Sequence, residues 1–251
     1  MGFEDSLVSI VIPVFDAESF LSQTLLSVVN QSYKNWEALA VVDVKTKDNS
    51  VNILKKFSIA DMRIKFFEPS LSGASACRNF AIPRARGRWL CFLDADDYWL
   101  EHKLEYQLQN MIDAKAGFST TGFRRIDQSN KRVGRLMSSP QNITYKKLLG
   151  QNSICISSVM MDRRSVGNID FEDIGCEDYA LWLKLTASGV KGVGFREDLV
   201  RYRIVSGSRG SSRIKTAQES WYLIRRDLNI LSASFKFAEF LARGIIKHSR
   251  F

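Results

Sequence analysis

The sequence predicts an α/β protein with a mostly parallel central sheet flanked by helices, followed by a basic amphipathic helical tail. Short apolar strands alternate with amphipathic helices through the first half of the chain, a pattern typical of parallel sheets. Acidic residues directly follow two of these strands, at Asp43 and Asp94. Ligands of open α/β sheets bind beyond the carboxyl ends of the strands, so both acids are expected at one cleft.

Each element of the first half follows from a local signal. Apolar runs predict strands, three- and four-residue apolar spacing predicts helices, and Pro83 and Gly87 interrupt the third helix. Asp16 is the expected N-cap of the first helix. In chain order, the segments are strand Ser9–Val14, helix Ala17–Gln31, strand Trp36–Val42, helix Asp48–Phe57, strand Arg63–Phe67, helix Gly73–Asn79, strand Trp89–Leu93 and helix Glu101–Ala114.

The second half loses this regular alternation and is expected to decorate the first half. Its predicted segments are a hairpin over Gly117–Met137, a short helix Tyr145–Leu149, a strand Ile154–Met161, a helix Glu177–Ser188 and a last strand Leu199–Val205. We expect one domain over residues 1–215, with a regular half at 1–110 and an irregular half at 111–215. Residues 216–251 form the tail.

The tail carries most of the net charge. Residues 201–251 hold eleven Lys or Arg against three Asp or Glu, which supplies eight of the nine net positive charges. Between positions 217 and 247 its apolar residues recur at three- and four-residue steps, which predicts a pair of basic amphipathic helices. Such helices suit a membrane surface, but the apolar stripe could equally pack on the protein itself. The stripe comprises Trp221, Ile224, Leu228, Leu231, Phe235, Leu241 and Ile245, with Arg225, Arg226, Lys236, Arg243 and Lys247 between them.

Composition excludes several other classes. The 251 residues contain four cysteines and two histidines without metal-ligand spacing, which argues against a zinc site and favours reduced thiols in the cytoplasm. Residues 1–6 contain two acids and no basic residue, unlike a secretory signal. No apolar run reaches the length of a membrane span. We therefore expect a cytoplasmic protein that could rest peripherally on the inner face of the membrane.

The strongest local signal is the acidic turn Asp94-Ala95-Asp96-Asp97 after an apolar strand. Carboxylates this close repel one another unless a cation or solvent separates them. Mg²⁺ and Mn²⁺ prefer oxygen ligands and are often held by one or two carboxylates together with substrate phosphates. The turn is therefore a candidate metal site for a nucleotide diphosphate ligand. Alone, it could equally be a solvated loop.

Several motifs occur together in an order and spacing that resemble the inverting family 2 glycosyltransferases with the Rossmann-like GT-A fold. The likeness runs from about Val8 to about Tyr222 and is closest to transferases of bacterial surface polysaccharides, such as teichuronic acid, capsule and O-antigen. The motifs are Ser9–Glu18 (SIVIPVFDAE), Asn30–Glu37 (NQSYKNWE), Gly73–Asn79 (GASACRN), Phe92–Asp97 (FLDADD), Glu177–Trp182 (EDYALW), and Tyr202-Arg203 before Ser206-Gly207-Ser208.

The resemblance implies a nucleotide-sugar donor bound by the half at 1–110, a glycan or lipid-linked acceptor bound by the half at 111–215, and a Mn²⁺ or Mg²⁺ cofactor. It implies the DXD pair at Asp94 and Asp96, with Asp96 the direct metal ligand, and a catalytic base at Asp178. Glu177 and Trp182 are expected at the acceptor. The residues expected at the donor are Pro13, Val14, Phe15, Glu18, Asp43, Arg78, Asp94 and Ala95.

Asp178 can also be considered without the family. Glu177 and Asp178 begin a predicted helix, where acids stabilise the positive end of the helix dipole. Inverting transfer instead requires a carboxylate within reach of the attacking hydroxyl. A partly desolvated Asp178 beside Cys176 and Trp182 would have a raised pKa, which suits a base.

One departure from the family pattern concerns the donor. The family usually has a second acid after Asp43, whereas this chain has Val44, which cannot accept a hydrogen bond from a base. Our leading interpretation is inverting sugar transfer from a nucleotide diphosphate sugar, with a UDP-sugar as the expected donor, to a hydroxyl of a growing glycan. The alternative is a catalytically weak partner subunit that binds nucleotide sugars. A nucleic-acid binder is disfavoured because no nucleic-acid fold signature occurs. A dinucleotide oxidoreductase is disfavoured because no GxGxxG follows the first strand.

Overall fold

A computed structural model describes residues 6–205 and 213–248 of the chain. The Ser206–Ser208 motif and residues 1–5 lie outside the described residues. Strands are β1 (Val8–Val14), β2 (Trp36–Val42), β3 (Ile64–Phe67), β4 (Trp89–Phe92), β5 (Tyr98–Trp99), β6 (Phe118–Ile126), β7 (Val133–Met137), β8 (Asn142–Ile143), β9 (Val159–Asp162) and β10 (Gly192–Arg203). Helices are α1 (Leu21–Val29), α2 (Ser50–Ala60), α3 (Ala74–Ala81), α4 (Lys103–Asp113), α5 (Tyr145–Leu149), α6 (Arg163–Val166), α7 (Glu177–Ala187), α8 (Arg213–Asp227) and α9 (Ile230–His248).

The first half forms the predicted parallel sheet. Strands β3, β2, β1 and β4 lie side by side in that order, and each neighbouring pair is parallel. Every residue of β2 is buried, as expected where helices cover both faces of a sheet. The parallel arrangement brings the carboxyl ends of β1, β2 and β4 to one edge. The α/β prediction is confirmed.

The second half continues the sheet with mixed strand directions. Strand β9 pairs antiparallel with both β4 and β6, and β6 pairs parallel with β10. The predicted hairpin is the antiparallel pair β6–β7. The last strand begins at Gly192, earlier than predicted, because register shifts around Asp198 hide its alternation in the sequence.

Two predicted boundaries are wrong for local reasons. The strand expected from Ile154 begins at Val159, after a 3₁₀ turn in which the Ser158 hydroxyl donates to the Cys155 carbonyl (2.6 Å). The first helix begins at Leu21, so Asp16 is not its N-cap. Asp16 has φ 41° and its Oδ1 accepts from the Lys47 N–H at 2.8 Å, which ties the β1 loop to the β2 loop.

The tail packs partly on the rest of the protein and partly faces solvent. Leu223, Ile224 and Ala233 are buried in the core cluster that includes α7. On the other side, Leu231 is 82% exposed and Phe235 is 72% exposed. The side chains of Arg243, Ile245 and Lys247 lie outside the described residues. Across the described chain, α9 included, no helix combines the length and apolar content that a bilayer span needs.

The four cysteines lie far apart in the chain and are not paired among the described residues. All four are free, and Cys77, Cys91 and Cys155 are buried. Residues 6–205 and 213–248 include no disulfide, so hydrophobic packing stabilises the fold.

Candidate active site

A cleft of about 800 Å³ opens at the carboxyl edge of the sheet. It is bounded by the ends of β1, β2 and β4 on one side and by residues of β6, β10 and the start of α7 on the other. The parallel first half therefore supplies one wall, and the mixed second half supplies the other. Ten predicted site residues line it: Pro13, Val14, Phe15, Asp43, Arg78, Asp94, Ala95, Asp96, Glu177 and Asp178.

Asp43 is fixed by hydrogen bonds at the end of β2. Its Oδ2 accepts from the Gly73 N–H (2.6 Å) and the Ser72 hydroxyl (3.2 Å), and its Oδ1 accepts from the Lys45 N–H (2.8 Å). Burial raises the pKa of Asp43, but these hydrogen bonds outweigh it and leave the pKa below its ordinary value. Asp43 thus holds the loop before α3 against the sheet edge as an ionised carboxylate.

The acidic turn after β4 is hydrogen-bonded to Ser157 and to the main chain of Arg203. Its Asp97 is buried and does not line the cleft. The Asp97 carboxylate accepts from the Ser157 hydroxyl and from the Arg203 N–H (2.8 Å), while the Asp94 N–H donates to Ser157 Oγ (3.2 Å). The third acid is therefore an internal brace that orients Asp94 and Asp96 toward the cleft.

Asp96 has the environment of a cation ligand. Burial, followed by the neighbouring Asp94, raises the pKa of Asp96 to about 6. No protein side chain of the described residues donates to its carboxylate, although the Arg203 Nε donates to its main-chain carbonyl (2.7 Å). The described residues contain no cluster of three or more ligating side chains. A divalent ion held by two carboxylates and substrate phosphates fits this donor set.

Arg78 joins the two walls of the cleft. Its Nη2 donates to Asp94 Oδ1 (2.7 Å) and its Nη1 donates to Glu177 Oε1 (2.8 Å). The guanidinium is buried, and it lies 5.3 Å from the ring centroid of Phe171. Charge-assisted bonds of this kind are strong and directional. Arg78 therefore fixes the spacing between the acidic turn and the start of α7.

Asp178 lines the cleft on the second-half wall, next to Glu177. It occupies the first turn of α7, and its Oδ1 accepts from the Tyr179 N–H (2.6 Å). Burial, followed by the charge of Glu177, raises the pKa of Asp178 to about 7. Such a carboxyl group can take up a proton near neutral pH.

Two predicted site residues lie outside the cleft. The Glu18 carboxylate accepts from the Asn49 N–H (3.1 Å) ahead of α2. Trp182 is fully buried and stacks on Phe118 with 6.1 Å between ring centroids. Neither lines the cleft, so the predicted donor contact of Glu18 and acceptor contact of Trp182 gain no support from this geometry.

The sequence did not single out Arg203 and Ser157, which shape the acidic turn. Beyond its bond to Asp96, the Arg203 guanidinium donates to Gln23 Oε1 (2.8 Å) and Asn130 Oδ1 (2.7 Å). The Tyr202-Arg203 pair at a strand end was a usable signal for Arg203. Ser157 carried none, because its role depends on a 3₁₀ turn contacting β4.

The fold agrees with comparison to known proteins. The profile of glycosyl transferase family 2 matches residues 9–168. This chain belongs to that family. One relative is TuaG of Bacillus subtilis, which is named as a teichuronic acid biosynthesis glycosyltransferase. It is 34% identical over 96% of this chain and 97% of the TuaG chain. WfgD of Escherichia coli, named as a UDP-Glc:α-D-GlcNAc-diphosphoundecaprenol β-1,3-glucosyltransferase, is 33% identical over 98% of this chain and 96% of its own.

Solved structures confirm the GT-A type of fold. Residues 1–349 of Staphylococcus aureus TarS in complex with UDP-GlcNAc superpose with a TM-score of 0.71 at 16% identity, covering 94% of this family 2 chain and 71% of TarS. The mannosyltransferase PcManGT of Pyrobaculum calidifontis, solved with GDP-Man and Mn²⁺, has a TM-score of 0.67 at 15% identity, covering 92% and 68% of the two chains. At these identities the likeness concerns the fold.

Proposed function

We propose that the chain transfers a sugar from a UDP-sugar to a hydroxyl of a lipid-linked glycan in bacterial surface polysaccharide synthesis, with inversion at the anomeric carbon. The supporting observation is that Asp178, a carboxyl group with a pKa of about 7, lines the same cleft as the acidic turn. WfgD is named for a UDP-Glc donor and a diphosphoundecaprenol-linked acceptor, and TuaG for teichuronic acid synthesis.

The donor would lie along the first-half wall. The half-exposed Phe15 ring and the loops fixed by Asp43 would receive the nucleoside, and Arg78 would contact the diphosphate. Asp94 and Asp96 would hold Mg²⁺ or Mn²⁺. When bound, that ion would neutralise negative charge on the departing diphosphate.

Asp178 would act as the general base. The acceptor oxygen forms a bond to the anomeric carbon while the bond from that carbon to the diphosphate oxygen breaks, and UDP leaves. The hydroxyl proton passes to the Asp178 carboxylate. Attack from the face opposite the leaving group inverts the configuration, and this requires the base on the wall opposite the diphosphate.

The test is Asp178→Asn, because it removes the base while keeping the side-chain volume. We expect sugar transfer to fall by about 10²–10⁴-fold, with UDP affinity unchanged by isothermal titration. Asp173→Asn, an exposed site just before the same helix, is the matched control and should retain full activity. Transfer within threefold of wild type for D178N would remove Asp178 from the mechanism. UDP binding by the wild type without transfer or donor hydrolysis would instead favour a donor-binding partner subunit.

We also propose that the tail holds the enzyme at an anionic membrane surface, where a lipid-linked acceptor resides. Ile230, Leu231 and Phe235 project from α9 into solvent. Exposed apolar residues on a basic helix suit the interface between water and lipid. The buried face of the same tail packs on the domain, so the helix is already positioned.

Vesicle sedimentation tests this membrane contact. Leu231→Glu with Phe235→Glu should lower binding to vesicles containing phosphatidylglycerol at least fivefold. The control pair is Ile59→Glu with Met62→Glu, equally exposed but remote from the tail in sequence, and it should bind like wild type. A wild-type protein that stays in the supernatant with anionic vesicles would contradict the membrane proposal and leave the transfer chemistry untouched.

A further inference from the structure

Arg125 lies in the cleft wall contributed by β6. It pairs in register with Tyr202 of β10, and both residues line the cleft beside Phe123. The Nε of Arg125 is buried without a hydrogen-bond partner among the described residues. Within the described residues, Arg125 forms no ion pair with a carboxylate. The ionisable groups beside it are Tyr202 and Cys155.

The other cleft arginines are committed to protein groups, and Arg125 is not. Arg78 binds Asp94 and Glu177, and Arg203 binds the acidic turn and the side chains around it. The neighbour of Arg125 on the same strand, Arg124, does not line the cleft and has its Nε 2.6 Å from Asp198 Oδ2. Of these two consecutive arginines, Arg124 pairs with a carboxylate of the protein, and Arg125 lines the cleft without one among the described residues.

A partly buried cation without an anion is costly, and burial lowers the pKa of Arg125 from its ordinary value. Unpaired, partly buried charges of this kind are typical of functional sites, where a bound ligand supplies the opposite charge. A guanidinium binds phosphate or carboxylate through two parallel N–H donors.

The neighbours of Arg125 locate it near the reacting groups. Arg125 lines the same cleft as Asp94 and Asp178, and Cys155 is part of that lining too. On the proposed donor wall, the diphosphate already has the acidic turn and the cation that Asp94 and Asp96 would hold. An anion at Arg125 would therefore be a different one, on the wall that carries Asp178.

We propose that Arg125 binds a second substrate oxyanion, distinct from the donor diphosphate. This inference rests on the proposed function. The oxyanion has two possible sources with the same chemistry: the diphosphate that links a glycan acceptor to its lipid, or a carboxylate on the transferred sugar. In either case, Arg125 determines which substrates the cleft accepts.

The test compares Arg125→Gln with Arg124→Gln by titration of two ligand pairs. The first pair is geranyl diphosphate against geraniol, added to protein with and without saturating UDP. The second pair is UDP-glucuronate against UDP-glucose. Wild type and R124Q should prefer the anionic member of one pair, and R125Q should bind that member at least tenfold more weakly, with the affinity for UDP unchanged.

Each outcome decides the inference. A loss confined to geranyl diphosphate assigns the oxyanion to the acceptor, and a loss confined to UDP-glucuronate assigns it to the donor sugar. Equal losses for charged and neutral members, a change below threefold for every ligand, or no anionic preference in wild type would overturn the proposal. Failure of wild type to bind any UDP-sugar would contradict the proposed function separately, because the titration without UDP still reports on Arg125.

Discussion

Asp43 and Asp178 line the same cleft but have opposite electrostatic surroundings. Asp43 accepts hydrogen bonds from two main-chain N–H groups and a hydroxyl, which lower its pKa. Asp178 accepts from the N–H of the next residue, and burial raises its pKa to about 7. Two carboxyl groups whose surroundings separate their pKa values in this way suit different tasks.

The contrast extends to the two walls. On the first-half wall, Asp43 is fixed by two main-chain N–H groups and a hydroxyl, and Asp94 is fixed by Arg78, before any substrate is present. The second-half wall keeps Asp178 protonatable and Arg125 without an acidic partner among the described residues. One wall is pre-organised, and the other leaves unsatisfied groups for a ligand to complete. Pre-organised contacts favour tight binding, whereas incompletely satisfied groups favour chemistry and selection.

The largest effect should come from breaking the connection between the walls with Arg78→Gln. Without the guanidinium, Asp94 and Glu177 lose their shared counter-charge, and the pKa of Asp178 should rise further because Arg78 lowers it in the native protein. Removing one partner of a buried ion pair costs about 3 kcal/mol. We expect that loss in urea unfolding, together with a large loss of transfer.

Arg86→Gln is the control for this change. Arg86 also bridges a carboxylate, with Nε 2.9 Å from Glu37 Oε2, but its side chain is 66% exposed. Glu37 is buried, but it keeps the hydrogen bonds from the Ser9 hydroxyl and the Arg86 main-chain N–H, so the stability change should stay below about 1 kcal/mol. If R78Q and R86Q cost the same, Arg78 does not connect the two walls as described.

The sequence predicted the fold and the pre-organised wall well. Both depend on local signals, namely apolar strands, helical spacing and acids placed directly after strands. The rule that parallel strands end at one edge was enough to bring Asp43 and Asp94 together. The family resemblance added Asp178, whose position at a helix start has a simpler structural explanation by itself.

The second-half wall could not be predicted to the same detail, because it depends on contacts between distant segments. Whether Arg124 or Arg125 faces the cleft is set by register shifts between β6 and β10. Trp182 lies one helical turn from Asp178, so periodicity puts both on one face of α7. The stacking of Trp182 on Phe118 of β6 removes it from the cleft, and no local pattern reveals that partner.

The pH dependence of transfer should sharpen the contrast between the two acids. A base is active when deprotonated, so kcat/KM should rise tenfold per pH unit below about pH 7 and level off above it. The pKa of Asp43 is lowered, so that group stays ionised throughout this range. Asp43 should therefore add no pH dependence to the UDP affinity measured without metal from pH 6 to 8, and any change near pH 6 would come from Asp96 or from UDP itself.

The same titration has a consequence for stability. The folded pKa of Asp178 lies above the value of 3.8 for an unperturbed Asp, so the folded state binds the proton more tightly. Stability from this group therefore decreases as pH rises from about 4 to about 7. Asp178→Asn should raise the Tm more at pH 8 than at pH 5. An equal shift at both pH values would contradict the raised pKa.

The smallest effect concerns the position next to Asp43. Val44 is 57% exposed and occupies the place where the family usually has a second acid, so Val44→Asp should leave the Tm unchanged. Asp43 already accepts three hydrogen bonds from the protein itself. A carboxylate at position 44 would add a second acceptor that is free to bind the base of the nucleotide. One net hydrogen bond to a base is worth about 1 kcal/mol, or roughly fivefold in affinity. In titrations, the affinity of V44D for UDP should increase by that factor relative to its affinity for CDP. The N3–H of uracil can donate to a carboxylate, and cytosine has no N3–H. Equal tightening of both nucleotides would mean that the new acid acts through its charge on the loop, and that the pre-organised wall recognises the nucleotide through contacts other than those beside Asp43.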